Sequence, residues 1–110
     1  MRFEDYRVWH EAVGLTKAIY ELKIADANLQ NQLRRAAASV AANIAEGVGA
    51  KSDAEFRKFL RYSRRSCDEI RAHLAIANAV GVTRDTAPIL DATERTGRML
   101  TRLIQSLAPP

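Results

Sequence analysis

Residues 52–80, SDAEFRKFLRYSRRSCDEIRAHLAIANAV, are the stretch whose reading decides the fold. Ser52-Asp53-Ala54-Glu55 has the pattern of a capping box, in which the Ser52 hydroxyl accepts from the Glu55 amide and Glu55 reaches back to the Ser52 amide. Phe56, Phe59, Leu60, Cys67, Ile70, Leu74 and Ala77 follow at helical spacing and predict the inner face of one long helix. That helix runs to about Val80, where Gly81 stops it. Nothing in the stretch alternates with period two, so it offers no strand.

The same period extends to both sides. A first helix is predicted from about Asp5 to Lys23, with Val8, Ala12, Leu15, Ile19 and Leu22 in one stripe and Tyr6, Trp9, Val13 and Tyr20 in a second, about 100° away. Gly14, in mid-helix, suggests close approach of a neighbour. After a short turn, with Asp26 or Asn28 as N-cap, a second helix runs from about Leu29 to Gly47. Leu29, Leu33, Ala36, Val40 and Ile44 form its stripe, and its many alanines give it a thin body that can pack on more than one side. Gly47 and Gly49 are expected to end it with positive φ. A fourth helix opens near Asp85 or Thr86, tolerates Pro88 in its first turn, and carries Ile89, Leu90, Thr93, Gly97, Leu100, Ile104 and Leu107 on one face. Four amphipathic helices with short connections predict an all-α, antiparallel, up-down-up-down four-helix bundle, with residues 1–110 as a single domain.

Composition agrees. The chain has 110 residues, 47% hydrophobic and 27% charged, which suits one cored domain and excludes general disorder. The lone Cys67 excludes an internal disulfide framework or a multi-cysteine zinc site. No apolar run approaches the ~18 residues of a membrane span. The acidic residues near the N-terminus do not suit a signal peptide, so a cytoplasmic protein is expected.

The net charge is 17 − 13 = +4, and arginine supplies most of the cations. Arg57, Lys58, Arg61, Arg64 and Arg65 fall within nine positions that hold no acid, and on a helix they lie within about 120°, opposite the apolar face. Arginine forks match phosphate oxygens, so this stripe is a candidate nucleic-acid backbone site with salt-dependent affinity. A solvated face partly neutralised by neighbouring acids is the plainer reading. No aromatic residue interleaves with the stripe, which argues against stacking on single-stranded bases. Arg34 and Arg35 are supporting candidates. They point about 100° apart, so one approaches an apolar face, where a carboxylate from another helix or another subunit would be its expected partner. His73 has only Glu69 at helical spacing, and His10 has no partner, so no metal or cofactor is expected. No nucleophile–base pair, P-loop or dinucleotide-binding glycine pattern is present, so an enzyme is not expected.

Three segments resemble a known family. They are Phe3-Glu4-Asp5-Tyr6-Arg7-Val8-Trp9; Gln32-Leu33-Arg34-Arg35-Ala36-Ala37-Ala38-Ser39-Val40 with Asn43-Ile44-Ala45-Glu46-Gly47; and Glu55-Phe56-Arg57-Lys58-Phe59-Leu60 with Ser66 and Glu69. Together they resemble the small bacterial four-helix-bundle proteins encoded in intervening sequences of 23S ribosomal RNA genes, which are similar in fold to the accessory protein of diversity-generating retroelements. Two features depart from the pattern: the turn from Ile24 to Asn28 is short, and Ala41-Ala42 stand where a proline and a small polar residue are common. The resemblance implies a ring-shaped homopentamer. Independently, the two stripes of the first helix and the thin second helix leave apolar surface for a partner. The leading expectation is therefore a non-enzymatic oligomer that binds structured RNA or DNA through its basic helix face. The alternative is a protein-interaction scaffold with no nucleic-acid role.

Overall fold

The computed structural model describes all 110 residues and contains helices only. A 3₁₀ turn, Phe3–Asp5, leads into α1 (Arg7–Glu21), followed by α2 (Ala27–Val48), α3 (Asp53–Ala79) and α4 (Ala87–Ser106). The molecule measures 46 × 22 × 19 Å, close to the length of its longest helix. Helices adjacent in sequence pack together, α1 also packs on α4, and the backbones of the diagonal pairs stay apart, as in a four-helix bundle. None of the helices is long and apolar enough to cross a membrane.

Local signals set the helix ends. Asp26 Oδ1 accepts from the Leu29 amide at 2.9 Å, and Ser52 Oγ from the Glu55 amide at 3.1 Å. Only this Ser52 half of the expected reciprocal cap forms. At the far end of α3, Gly81 has φ 76°; its amide donates to Asn78 O at 3.1 Å, and the Val82 amide donates to Ala77 O at 3.0 Å. These two bonds form a Schellman motif, which requires the left-handed conformation that glycine adopts without penalty. Thr86 precedes α4 without capping it: its backbone is already helical (φ −86°, ψ −5°) rather than in the extended form of an N-cap, and its hydroxyl accepts from Asn78 Nδ2 at 2.7 Å.

Three glycines differ from expectation. Gly49 has ordinary helical φ, and Gly47 lies inside α2. Gly47 is instead a packing residue: a methyl group there would lie 2.8 Å from Phe56 Cδ1 and 3.2 Å from Phe59 Cβ. Gly14, expected to mark a close neighbour, has open space around it.

The core contains the expected stripes. Val8, Ala12, Leu15 and Ile19 of α1, Leu33, Ala36, Val40 and Ile44 of α2, and Leu60, Cys67, Ile70 and Leu74 of α3 are all buried. Phe59 and Leu22 are only half-buried. Polar residues also enter the interior. Ser63 Oγ donates to Val40 O at 2.8 Å, and Ser66 Oγ to Ser39 Oγ at 3.0 Å. Asn43 Nδ2 donates to Ser39 O at 2.9 Å. These bonds satisfy polar groups that would otherwise destabilise the α2–α3 contact.

Burial pushes the Cys67 thiol up to about 12, and nearby Asp68 adds to the shift. Cys67 is therefore expected to resist a thiol reagent at pH 8 in the folded protein and to react rapidly once denaturant unfolds the chain. Replacement of Gly47 by alanine should destabilise the fold by about 1–3 kcal/mol in urea unfolding, through overpacking against Phe56. The same change at Gly14 should stabilise it by about 0.5–1 kcal/mol, through helix propensity alone.

Candidate nucleic-acid interface

The basic stripe occupies the N-terminal half of α3, on the side turned away from the buried Phe56, Leu60 and Ile70. The structure divides it in two. Lys58, Arg61 and Arg65 are exposed, whereas Arg57 and Arg64 are half-buried and lean toward α4. Arg57 Nη1 donates to the carbonyl of Leu107 at the C-terminal end of α4, where an unpaired carbonyl attracts a cation. Arg64 Nη1 lies 3.4 Å from Thr101 Oγ1. The five cations thus share one helix, but three of them form its outward face.

None of the five meets a carboxylate. The ion pairs are Arg2 with Glu4, Arg71 with Asp68 at 3.7 Å, and Arg95 with Glu11. No direct ion pair within the chain therefore ties up the stripe; Asp68 and Glu69, one turn beyond Arg64 and Arg65, are the nearest acids on the same helix.

Aromatic rings border the stripe more closely than the helical wheel implied. Lys58 Nζ lies 5.0 Å from the centroid of Phe59, and the Arg65 guanidinium 5.8 Å from that of Tyr62. Long cationic side chains bridge the angle between neighbouring stripes and rest on the rings. Tyr62 itself is exposed.

Arg34 and Arg35 lie elsewhere. Arg34 Nη2 donates to Tyr20 O at 3.1 Å at the end of α1, and its guanidinium stacks 4.8 Å from the Tyr20 ring centroid. Within the chain its guanidinium meets a carbonyl and an aromatic face and no carboxylate, and Nε is left buried without a partner. Glu46, further along α2, is exposed and makes no ion pair. Arg35 is exposed on α2, beside Glu69 and His73 in a shallow pocket of about 300 Å³ on the α2–α3 side. Neither arginine joins the α3 stripe. His73 Nδ1 is buried without a partner, and no three His, Cys, Asp or Glu side chains converge.

A second basic element was not singled out from sequence. Exposed Arg98 and Arg102 of α4 border a groove of about 470 Å³ that Arg64 and Arg71 border from α3. Their four-residue spacing places them on one helix face, a signal available in the sequence. It was masked because Arg95, Arg98 and Arg102 alternate with apolar core residues and with Glu94.

Comparison with known proteins agrees with the motifs. The family model for the 23S rRNA-intervening sequence protein matches residues 4–102, which takes in α1, α2, α3, most of α4 and every cation of the α3 stripe. No curated protein matches the chain. No enzyme family is indicated. On the strength of a match that runs from Glu4 to Arg102, together with the four-helix structure, the chain belongs to the 23S rRNA-intervening sequence protein family.

Proposed function

We propose that this chain is a non-enzymatic, cytoplasmic, self-associating bundle that binds the phosphate backbone of structured RNA through α3. The observation that carries the reading is the outward row of Lys58, Arg61 and Arg65, none of which has a carboxylate within ion-pair distance. Exposed cations without internal partners are free to replace counterions on a polyanion. Arg57 and Arg64 flank this row, and Arg35 adds charge on α2. Arg34 is committed to Tyr20 and acts in packing.

The proposed architecture is up-down-up-down. The Ala25 amide donates to Val82 O at 2.8 Å and Thr83 Oγ1 to Lys23 O at 2.9 Å, which join the α1–α2 and α3–α4 connections at one end. At the other end, Tyr6 packs edge-on to Phe56, with centroids 5.8 Å apart. Both contacts support parallel directions for α1 and α3, with α2 and α4 reversed.

Self-association is supported by the apolar surface left between α1 and α2. Val13, Thr16, Tyr20, Ala38 and Ala41 line a shallow groove of about 530 Å³, and Tyr20 remains 50% exposed. Burial of such a surface favours association. Its occupant in this reading is a second copy, and a closed ring of five follows the family resemblance. Native mass spectrometry of the full chain should show one closed oligomer, and Tyr20→Glu should reduce it to smaller species. A wild-type monomer at micromolar concentration would overturn the ring.

Filter binding against 23S rRNA fragments tests the nucleic-acid reading. Affinity should fall steeply with salt, and the triple variant K58Q/R61Q/R65Q should bind at least about tenfold more weakly, with a salt slope reduced by up to about three. Absence of binding at low salt, or affinity indifferent to salt, would overturn it. A protein partner retained after nuclease treatment of a lysate, with no RNA binding by the purified chain, would favour the scaffold instead.

A further inference from the structure

The groove between α3 and α4 has a form that the outer row of α3 lacks. Its floor is low where Gly97 and Thr101 lie, and a Cβ placed on Gly97 meets no atom within 4 Å. Its rims are cationic on both sides. Arg98 and Arg102 are exposed on α4 and have no ion pair. Arg64, on the opposite rim, makes only the 3.4 Å contact with Thr101 Oγ1. Two acids are also present: Asp68 is held by Arg71 at 3.7 Å, and Glu94 is exposed and unpaired. Against four arginines they leave a net charge of 4 − 2 = +2 along the groove.

We propose that this groove is a slot for one strand of a sugar-phosphate duplex backbone, gripped by Arg64 from α3 and by Arg98 and Arg102 from α4. The inference rests on the nucleic-acid reading above and adds to it the α4 side of the site. Arg98 and Arg102 are one helical turn, about 6 Å, apart along the axis. That spacing approaches the roughly 6.8 Å axial rise of two nucleotides in one strand of B-form DNA. Cations on both rims, with a small-residue floor, admit a backbone between the two helices, whereas the outer row can touch it only from one side. No aromatic side chain lines the groove, so it offers no platform for unstacked bases and favours a paired strand whose bases face away. Guanidinium forks bind phosphate oxygens in pairs, which suits arginine at all three positions.

The test uses the full chain and labelled 20-base-pair duplexes of RNA and of DNA, titrated at several salt concentrations. R98Q/R102Q should weaken binding about tenfold and lower the salt slope by about two, while R98K/R102K should restore most of the slope. G97L, which fills the floor without changing charge, should weaken binding while its melting temperature stays at or above that of the wild type. Preference for the RNA or the DNA duplex identifies the source of the backbone, and the slot stands in either case. If R98Q/R102Q and G97L bind as the wild type does while R61Q/R65Q binds weakly, the slot is overturned and the α3 reading stands. If the wild-type chain binds neither duplex at low salt, both fall.

Discussion

The close approach of α2 and α3 is the constraint on which the rest of the structure depends. Gly47 lets Phe56 and Phe59 press against the α2 backbone, and Ser63 hydrogen-bonds directly to the Val40 carbonyl. Neither contact tolerates a larger α2 surface at that point. Small residues bring the two longest helices together, and their hydroxyls supply the hydrogen bonds that a tight, partly polar contact requires. Apolar residues of α1 and α4 complete the same core.

Packing α3 against α2 also determines where its charges point. With Phe56, Leu60, Ser63 and Cys67 turned inward, Lys58, Arg61 and Arg65 face water. The neighbouring cations, Arg57 and Arg64, reach toward α4 instead, one toward the Leu107 carbonyl and one toward Thr101. A guanidinium on a long stem can stay near water while it satisfies an orphan carbonyl, so packing and surface charge do not compete here. The bundle thus places its positive surface on α3 and α4, with the apolar groove on the far side between α1 and α2.

Much of the fold was legible because helical periodicity is a local property. The four helices, the Ser52 and Asp26 caps and the Gly81 stop follow from residues a few positions apart. Other readings failed where the answer depended on another helix. Gly14 and Gly47 are indistinguishable as mid-helix and end-of-helix glycines until a neighbour is present; Phe56 packs against one of them and nothing packs against the other. Ser63 and Ser66 read as polar positions, because only the opposing Val40 carbonyl and Ser39 hydroxyl make their burial favourable.

The candidate site divides along the same line. By itself the sequence determined that five cations share one side of a helix whose other side is apolar, since that follows from 3.6 residues per turn. It also carried the motifs that place the chain in its family. Only the tertiary structure decided which of these side chains reach other helices of the chain, that Arg34 lies on Tyr20, and that Arg98 and Arg102 of α4 face Arg64 across a groove. The physical reason is that a charge is freed or neutralised by groups within a few ångströms, and for these residues most of those groups belong to a different helix.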